Sequence, residues 1–337
     1  MTLSFPDTQS YFEAIKSLPS PDQTAIDAAG LRQGQLTKPP GSLGRLEDIA
    51  IWIAGWQGEE KPRLNSPTCL IFAGNHGVAA QGVSAFPAEV TAQMVANFSA
   101  GGAAINQLTR AGGIKLDVIA LELDRPTRDF SVEAAMSMQE TLSAMQRGAD
   151  AVPDDTDILL LGEMGIANTT SAAAIALACL GGQAIDWVGP GTGLDANGMN
   201  RKLDVVEQSV ALYSNLSDGL SILSHLGGRE LAAIAGAVLE ARHRSIPVLL
   251  DGYISTASVL PLYKDNSAIL KHCLVSHRSQ EPGHQRILAK TGLEPILDLG
   301  LRLGEGSGAA TALPIIRAAV ETHSGMATFA EAGVSEG

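Results

Sequence analysis

Six short apolar runs, most of them followed by a glycine-containing turn and a helix-like segment, constrain the fold of this chain more than any other feature. A stretch that is apolar on consecutive residues is typical of a strand buried on both faces of a sheet. Because helical segments separate the runs, the pattern predicts an α/β fold with a doubly wound, Rossmann-like, largely parallel six-stranded sheet. The predicted strands are Thr68–Ala73, Lys115–Leu121, Asp157–Leu161, Ile185–Val188, Pro247–Leu250 and Cys273–Val275.

The two ends of the chain have a different pattern. Phe12, Ile15 and Leu18 are spaced as on one face of a helix, and the region after Gly283 again has a helical pattern. We therefore predict a small helical domain formed from both termini, residues 1–60 plus 284–337, beside an α/β sheet domain of residues 61–283. Ligands of such sheets bind outside the carboxyl ends of the strands, so the turns there should carry the chemistry.

The composition limits the classes of partner. Hydrophobic residues make up 45% of the 337 residues, enough for a large core, and the formal net charge is -13. Nucleic acids and anionic membranes bind basic faces, so we expect neither as a partner. The three cysteines fit no zinc spacing and no disulfide framework, and the first ten residues lack the apolar core of a signal peptide. These features predict a cytoplasmic protein.

A glycine-containing turn, Gly162–Ser171, follows the third predicted strand. Free backbone N–H groups at a helix N-terminus after such a turn favour an anion such as phosphate. The turn lacks the Gly-Lys-Ser/Thr of a Walker loop and the glycine spacing of a dinucleotide fingerprint. Two interpretations stay open, a phosphate site and plain N-capping of the helix by Asn168 or Thr169.

A second glycine-rich turn, Gly189–Asp195, follows the fourth predicted strand. Lys202 lies in the first turns of the helix that comes next, where it either closes over an anion or remains a solvated surface lysine. Gly191, Gly193 and Ala196 fit the dinucleotide spacing loosely, but so short a pattern occurs by chance in a glycine-rich chain. The sequence therefore disfavours an oxidoreductase that uses a dinucleotide.

A lone carboxylate, Glu305, lies between glycines in the stretch Leu301–Gly308, just before a helix-like run. Glycine allows close backbone approach, so a ligand can reach the acid. A carboxyl in a tight, weakly polar turn can have a raised pKa and act as a base near neutral pH. The alternative is an acid that faces the dipole at a helix N-terminus and has no catalytic role.

Three further residues follow the first predicted strand. We interpret His76 as a structural hydrogen-bonding residue rather than a catalytic one. Phe86 and Met94, in a loop and the helix after it, either line an apolar slot or belong to the core. No cluster of His, Asp and Glu has ligand spacing on one element, so we predict no metal site.

Taken in order, six stretches that span nearly the whole chain resemble the nicotinate-nucleotide–dimethylbenzimidazole phosphoribosyltransferases, which make the lower-ligand nucleotide of cobalamin. The turns around Glu163 and Glu305 are the most specific part of this resemblance. The stretches are Lys38–Leu46, Asn75–Val78, Glu89–Thr91, Gly162–Thr170, Leu249–Gly252 and Arg302–Gly308.

The resemblance implies a homodimer that needs no cofactor and moves the phosphoribosyl group of nicotinate mononucleotide onto a nitrogen of 5,6-dimethylbenzimidazole. It implies that Glu305 is the base and that Glu163 is a second active-site carboxylate, which either holds the ribose hydroxyls or steadies positive charge at the sugar. The implied substrate-binding residues are Gly165, Ile166, Ala167, Asn168, Thr169, Thr170, Lys202, Ser279 and Leu303.

The resemblance departs from the family pattern in the stretch that binds the acceptor base. Some family members carry Ser and Gln where this chain has Phe86 and Met94, and an apolar slot would accept benzimidazoles and purines with little hydrogen-bond discrimination. The second interpretation of the whole chain is a non-catalytic protein that binds a nucleotide or a corrinoid precursor on the same scaffold. Such a protein would keep the phosphate turn and would not need Glu305.

Overall fold

One six-stranded sheet forms the centre of the computed structural model, which describes residues 2–335. Its strands are β1 Pro67–Ala73, β2 Lys115–Ala120, β3 Ile158–Met164, β4 Val248–Leu250, β5 Cys273–His277 and β6 Pro295–Leu297. The strand order is β2-β1-β3-β4-β5-β6, and every neighbouring pair is parallel.

Helices cover both faces of the sheet. They are α1 Thr8–Lys16, α2 Gln23–Gln35, α3 Arg45–Gln57, α4 Glu89–Ser99, α5 Ala104–Gly112, α6 Met138–Asp150, α7 Asn168–Leu180, α8 Ala196–Leu212, α9 Gly219–Leu226, α10 Arg229–His243, α11 Tyr253–Ser258, α12 Leu260–Asp265, α13 Pro282–Thr291, α14 Ser307–Gly325 and α15 Phe329–Ala332. Short 3-10 helices lie at Gly77–Gln81, Ala184–Asp186 and Ser267–His272. None of the helices within residues 2–335 combines the length and apolarity needed to cross a membrane.

The side chains of β1 alternate between two hydrophobic cores, as expected for a strand buried on both faces. Leu70 and Phe72 belong to one core, which contains residues of α6, α7 and α9 to α13. Cys69 and Ile71 belong to the other, which contains residues of α3, α4, α5 and α14. This arrangement confirms the predicted doubly wound α/β sheet.

The strand order determines where a ligand can bind. The chain passes from β1 to β2 on one side and then crosses to β3 on the other side of β1, so the winding reverses between β1 and β3. Ligands of open α/β sheets bind at the carboxyl ends of the strands near such a switch point. The turns after β3, β4 and β5 lie side by side next to it.

The prediction of a strand at Ile185–Val188 is wrong. Ala184–Asp186 forms a 3-10 turn instead, and the Asp186 carboxylate stabilises it by accepting a hydrogen bond from the backbone N–H of Gln183 at 3.0 Å. The sixth strand is Pro295–Leu297, three partly buried residues at the edge of the sheet. Its three residues are apolar but only partly buried, and they lie in the region that the sequence pattern predicted to be helical.

Helices from both ends of the chain pack together. Arg32 of α2 donates hydrogen bonds to the carbonyls of His323 (3.0 Å) and Met326 (2.7 Å) at the end of α14. Helix α3 packs against both α2 and α14. Because α3 and α14 also cover one face of the sheet, the division into residues 1–60 plus 284–337 and residues 61–283 stays a prediction.

Candidate active site

A cleft that encloses about 90 Å³ opens at the carboxyl ends of β3, β4 and β5. Its lining comes from five separated parts of the chain, namely the turns after β3 and β4, the loop before α8 and the segments after β5 and β6. Both predicted carboxylates, Glu163 and Glu305, line it, together with Gly165, Thr169 and Ser279. The fold therefore brings the two most specific turns of the sequence into one site.

Glu305 lies at the bend between the segment after β6 and helix α14. Its φ is +59°, in the left-handed region that residues other than glycine rarely adopt, and its neighbours Gly304 (φ +80°) and Gly306 (φ +73°) share that conformation. Only 7% of Glu305 is exposed. Burial, and after it the negative charge of Asp251, raises the pKa of the Glu305 carboxyl to about 7. A carboxyl with this pKa can accept a proton at neutral pH.

Asp251, which sequence reasoning did not assign to the site, fastens this bend to the sheet. It directly follows β4 and is fully buried. Its Oδ2 accepts a hydrogen bond from Gly306 N at 3.1 Å, and its Oδ1 accepts one from Ala309 N at 2.9 Å. The signals in the sequence were its place at the carboxyl end of a predicted strand and within the stretch Leu249–Gly252, one of the six that carry the family resemblance.

Glu163 lies near the end of β3 and is 5% exposed. Its carboxylate accepts a hydrogen bond from the Asn168 side chain. A Cβ atom on Gly304 would lie 2.5 Å from Glu163 Oε1, so this position requires glycine. Burial, and after it the charges of Asp251 and Glu230, raises the pKa of Glu163 to about 8, while the bond from Asn168 opposes the shift. At neutral pH Glu163 is therefore mainly protonated.

Helix α7 begins at Asn168, directly after Ala167, whose φ is +73°. The interpretation of N-capping by Asn168 or Thr169 is wrong, because Ala167 occupies the cap position and the Asn168 amide turns to Glu163. Within residues 2–335, no acceptor faces the backbone N–H groups of Ala167 and Thr169. Open N–H groups at a helix N-terminus suit a bound anion.

The other predicted residues of this turn support it from within. Gly165 and Ile166 line the cleft, and the backbone N–H of Ile166 donates to Thr91 Oγ1 at 3.1 Å. Thr170 is fully buried, so its side chain faces the core instead of the cleft. Its backbone N–H donates to the carbonyl of Ala167 at 2.9 Å, so Thr170 stabilises the turn without lining the cleft.

Lys202 is fully buried, so the interpretation as a solvated surface lysine is wrong. Its Nζ donates to Thr169 Oγ1 at 2.8 Å and to the carbonyl of Gly189 at 2.9 Å. Burial lowers the pKa of Lys202 to about 8, while the charge of Glu281 opposes the shift. The ammonium group therefore lies directly beside the open N-terminus of α7 and remains mostly charged at neutral pH.

Sequence reasoning missed two charged residues of the cleft. Glu281 is 6% exposed, and burial raises its pKa. Arg302 is exposed, and its Nη1 donates to the carbonyl of Gly191 at 3.4 Å, across the mouth of the cleft. Both line the cleft together with Ser279. Arg302 belongs to the stretch that carries Glu305, which was the available signal.

Of the three apolar residues predicted to contact the substrate, only Leu303 lines the cleft. Leu303 lines the cleft and is 55% exposed at its mouth. Phe86 is 49% exposed on the loop before α4, and Met94 is partly buried against the core on one face of the sheet. Neither Phe86 nor Met94 lies among the residues that line the cleft.

His76 lies in a buried hydrogen-bond network, which is consistent with the structural role that the sequence favours, and that role stays a prediction. Its Nε2 lies 2.5 Å from Glu230 Oε1, and its Nδ1 lies 3.0 Å from Ser171 Oγ, with all three residues buried. Since Ser171 belongs to the first turn of α7, these bonds fix the N-terminal turn of α7 from its buried side.

Known proteins match this chain over nearly its whole length. A family model described as phosphoribosyltransferase matches residues 18–334. The nicotinate-nucleotide–dimethylbenzimidazole phosphoribosyltransferase of Ruegeria pomeroyi is 56% identical over 331 residues, 98% of this chain and 98% of that protein. This chain belongs to the nicotinate-nucleotide–dimethylbenzimidazole phosphoribosyltransferase family. Another member, from Novosphingobium aromaticivorans, is 55% identical over 334 residues, 99% of each chain.

Solved structures of the phosphoribosyltransferase family share the fold described above. CobT from Thermus thermophilus matches with a TM-score of 0.88 at 40% identity, covering 93% of this chain and 100% of that one. A nicotinate-nucleotide–dimethylbenzimidazole phosphoribosyltransferase structure from the same organism matches with a TM-score of 0.86 at 39% identity, covering 94% of this chain and 100% of that one. The family resemblance and the fold class predicted from the sequence are therefore both confirmed.

Proposed function

We propose that this chain transfers the phosphoribosyl group of nicotinate mononucleotide to 5,6-dimethylbenzimidazole or a related base. The products are α-ribazole phosphate and nicotinate, in assembly of the cobalamin nucleotide loop. One observation carries the proposal. Glu305 and the first residues of α7 line the same cleft, and the buried Lys202 donates a hydrogen bond to Thr169 at this N-terminus. Relatives that are 55–56% identical bear the name of this activity.

Glu305 acts as the general base in this proposal. One nitrogen of the benzimidazole attacks the anomeric carbon, and the other nitrogen must lose its proton as the bond forms. A carboxyl with a pKa of about 7 is substantially ionised at neutral pH and strong enough to take that proton. General-base catalysis contributes about 10²–10⁴-fold to the rate. The leaving pyridine is already cationic at its glycosidic nitrogen, so it departs without a general acid.

The N-terminus of α7 binds the phosphate group of the nucleotide. The free N–H groups of Ala167 and Thr169 supply hydrogen-bond donors, and Lys202 supplies a full positive charge next to them. Charge-assisted hydrogen bonds of this kind are stronger than neutral ones and fix orientation. Holding the sugar in line with the attacking ring lowers the barrier further, because it converts a bimolecular step into an intramolecular one.

Glu163 holds a ribose hydroxyl in this proposal. Both of its roles were open from the sequence, a contact to the ribose and the stabilisation of positive charge at the sugar. With a pKa of about 8 the carboxyl is mainly neutral at pH 7 and can both donate and accept a hydrogen bond. A neutral acid stabilises a developing cation poorly, which favours the ribose contact.

Leu303 borders the slot for the acceptor base. Its exposed side chain at the mouth of the cleft offers an apolar face for an aromatic ring. Phe86 and Met94 remain proposed acceptor contacts that lie outside the lining of the cleft. An apolar slot of this kind selects rings mainly by shape, so benzimidazoles and purines are both candidate acceptors.

A direct assay tests the function. The purified protein is incubated with nicotinate mononucleotide and 5,6-dimethylbenzimidazole, and both free nicotinate and the α-nucleotide are quantified by chromatography. We expect the two products in equal amounts. If nicotinate mononucleotide binds in calorimetry but no benzimidazole or purine acceptor yields a product, the proposed transfer is wrong and the non-catalytic binding protein is the better interpretation.

We also propose that the protein works as a homodimer in the cytoplasm. Support for the dimer comes from the family resemblance, and support for the location comes from the three cysteines, whose spacing fits no disulfide framework and is typical of free thiols in a reducing compartment. Light scattering coupled to size-exclusion chromatography distinguishes a dimer from a monomer. A mass that stays at one chain across the concentration range of the assay would rule the dimer out.

A further inference from the structure

We propose that Asp251 is a positioning residue for the proposed base: its buried carboxylate holds the turn that carries Glu305 in reacting position without itself lining the cleft. This inference rests on the proposed transfer reaction. It assigns a role in turnover to a residue that lies 54 positions before Glu305 in the chain and reaches it only through the fold.

The side chain of Asp251, which lies outside α14, caps the N-terminus of this helix. The cap position of α14 is Gly306, which has no side chain to satisfy the free N–H groups of the first turn. Asp251 supplies the missing acceptors, with Oδ2 on Gly306 N at 3.1 Å and Oδ1 on Ala309 N at 2.9 Å. The carboxylate therefore spans both ends of the first helical turn.

The turn needs such an anchor, because its backbone conformation is unfavourable. Glu305 adopts a φ of +59° without being glycine, which costs energy that other contacts must offset. The backbone of the turn also packs directly on β3, where a Cβ atom on Gly162 would collide with the backbone of Gly306. A loss of the two bonds from Asp251 would let the turn move away from β3 and take the Glu305 carboxyl with it.

The negative charge of Asp251 acts on the same turn. An asparagine could not replace it, since one N–H group of α14 would then face an amide NH₂ instead of an acceptor. The Asp251 charge, after burial, also contributes to the raised pKa of Glu305. The titratable groups that face Asp251 and Glu305 from the packed elements are Cys69 on β1, Glu163 on β3 and His277 on β5, whose Nδ1 lies 3.8 Å from Asp251 Oδ1.

A purely structural helix cap is the competing explanation, and the chain offers a matched control for it. Asp265 also accepts a hydrogen bond from the first turn of a distant helix, with its Oδ1 on Gly219 N at 2.7 Å, and its Oδ2 accepts one from Tyr11 at 2.7 Å. It does not line the cleft. Asp265→Asn should therefore lower stability without a specific effect on the reaction.

The experiment compares Asp251→Asn, Asp251→Ser and Asp265→Asn with the wild type over pH 5.5 to 9. We expect kcat of both Asp251 variants to fall by about a hundredfold, the loss that a displacement near 1 Å causes. The KM for nicotinate mononucleotide should stay within about twofold, because the phosphate site is untouched. The acidic limb of the kcat profile should move to lower pH, since the negative neighbour of Glu305 is gone. Asp265→Asn should change neither kcat nor the profile.

Three outcomes would overturn the inference. The first is wild-type kcat in a folded Asp251 variant, and the second is a reduced kcat with an unmoved acidic limb. The third is failure of both Asp251 variants to fold, judged by circular dichroism and nicotinate mononucleotide binding, which would leave Asp251 as a general stability residue. A wild-type protein with no turnover would instead refute the proposed function, so the two failures are distinguishable.

Discussion

The N-termini of α7 and α14 are built alike and used differently. Each follows a residue with positive φ, Ala167 before α7 and Gly306 before α14, and neither cap residue supplies a side-chain hydrogen bond. In α14, the Asp251 carboxylate fills the N-terminus by accepting from Gly306 N and Ala309 N. In α7, the N–H groups of Ala167 and Thr169 stay without an acceptor within residues 2–335.

This difference separates two tasks that lie in one cleft. A helix N-terminus attracts negative charge wherever it occurs. The chain satisfies α14 with its own carboxylate, which fastens the turn of Glu305, and leaves α7 open beside Lys202 for the proposed substrate phosphate. The same local geometry is thus closed by a carboxylate of the chain at one place and left open at the other, where we propose that a ligand binds.

The largest effect should come from the acid at the filled N-terminus. Glu305→Gln keeps the size of the side chain and removes the base, so kcat should fall by about 10²–10⁴-fold while binding of nicotinate mononucleotide is retained. Turnover assays and calorimetry measure the two quantities. Glu331→Gln, at an exposed capping position, is the control and should leave both unchanged. Equal losses of binding and of kcat would contradict the separation of the two N-termini.

A substitution at the open N-terminus of α7 should impair binding of nicotinate mononucleotide more than kcat. Lys202→Met removes the buried ammonium beside Thr169 but keeps an unbranched side chain that is only one heavy atom shorter. We expect the KM for nicotinate mononucleotide to rise by about 10- to 100-fold, since a hydrogen bond to a charged group contributes about 1.5–3 kcal/mol. The KM for the acceptor base should change little. Steady-state kinetics with each substrate varied in turn tests this, with the exposed Lys264→Met as the control.

The free energy of unfolding should depend on pH because of the buried acid Glu163. Burial raises the pKa of Glu163 in the folded state to about 8, from 4.5 in an unfolded chain. Its contribution to stability is therefore complete below pH 4.5 and is lost as the pH rises to 8. Each unit of difference corresponds to about 1.4 kcal/mol. The free energy of unfolding of the wild type minus that of Glu163→Gln, from denaturant titrations at pH 5 to 8, should thus decrease with pH. A flat difference would contradict burial of a neutral acid.

Activity should have the reverse pH dependence. Glu305 must be ionised to accept a proton, so kcat should fall as the pH drops below the pKa of about 7. The proposed reaction is therefore favoured by ionisation of Glu305 over the same pH range in which ionisation of the buried Glu163 makes the protein less stable.

The smallest expected effect is on stability and concerns the positive φ of the cap residues of α7 and α14. Ala167 has a φ of +73°, which is strained for alanine and which glycine adopts freely. Ala167→Gly should stabilise the protein by up to about 1 kcal/mol, because the left-handed region costs about that much for alanine. Turnover should stay within twofold. A loss of stability in urea denaturation would show that the methyl group contributes more through packing than its conformation costs.

Much of the fold could be predicted, because buried parallel strands give apolar runs. The runs at β1, β2, β3, β4 and β5 marked these strands, whereas the three apolar residues Pro295–Leu297 are only partly buried and lie in a region whose pattern is otherwise helical. The run at Ile185–Val188 was misleading, since a few apolar residues fit a strand and a 3-10 turn equally well.

The turns of the candidate site could be predicted from the sequence, but the buried residues that hold these turns in place could not. Glycines and a lone acid identified the stretches around Glu163 and Glu305. The burial of Lys202 and the anchoring role of Asp251 depend on which elements meet in space, and no local pattern records that. The predicted contacts of Phe86 and Met94 with an acceptor base stay predictions.

The backbone of the turn that carries Glu305 packs directly against Gly162 on β3, in the middle of the sheet. During synthesis, strands β1 to β5 and the turn Gly162–Thr170 emerge before Glu305. The cleft is therefore complete only when the turn of Glu305 packs on β3, because Gly304 and Glu305 form part of its lining. Under the proposed function, turnover would then report that this late contact has formed.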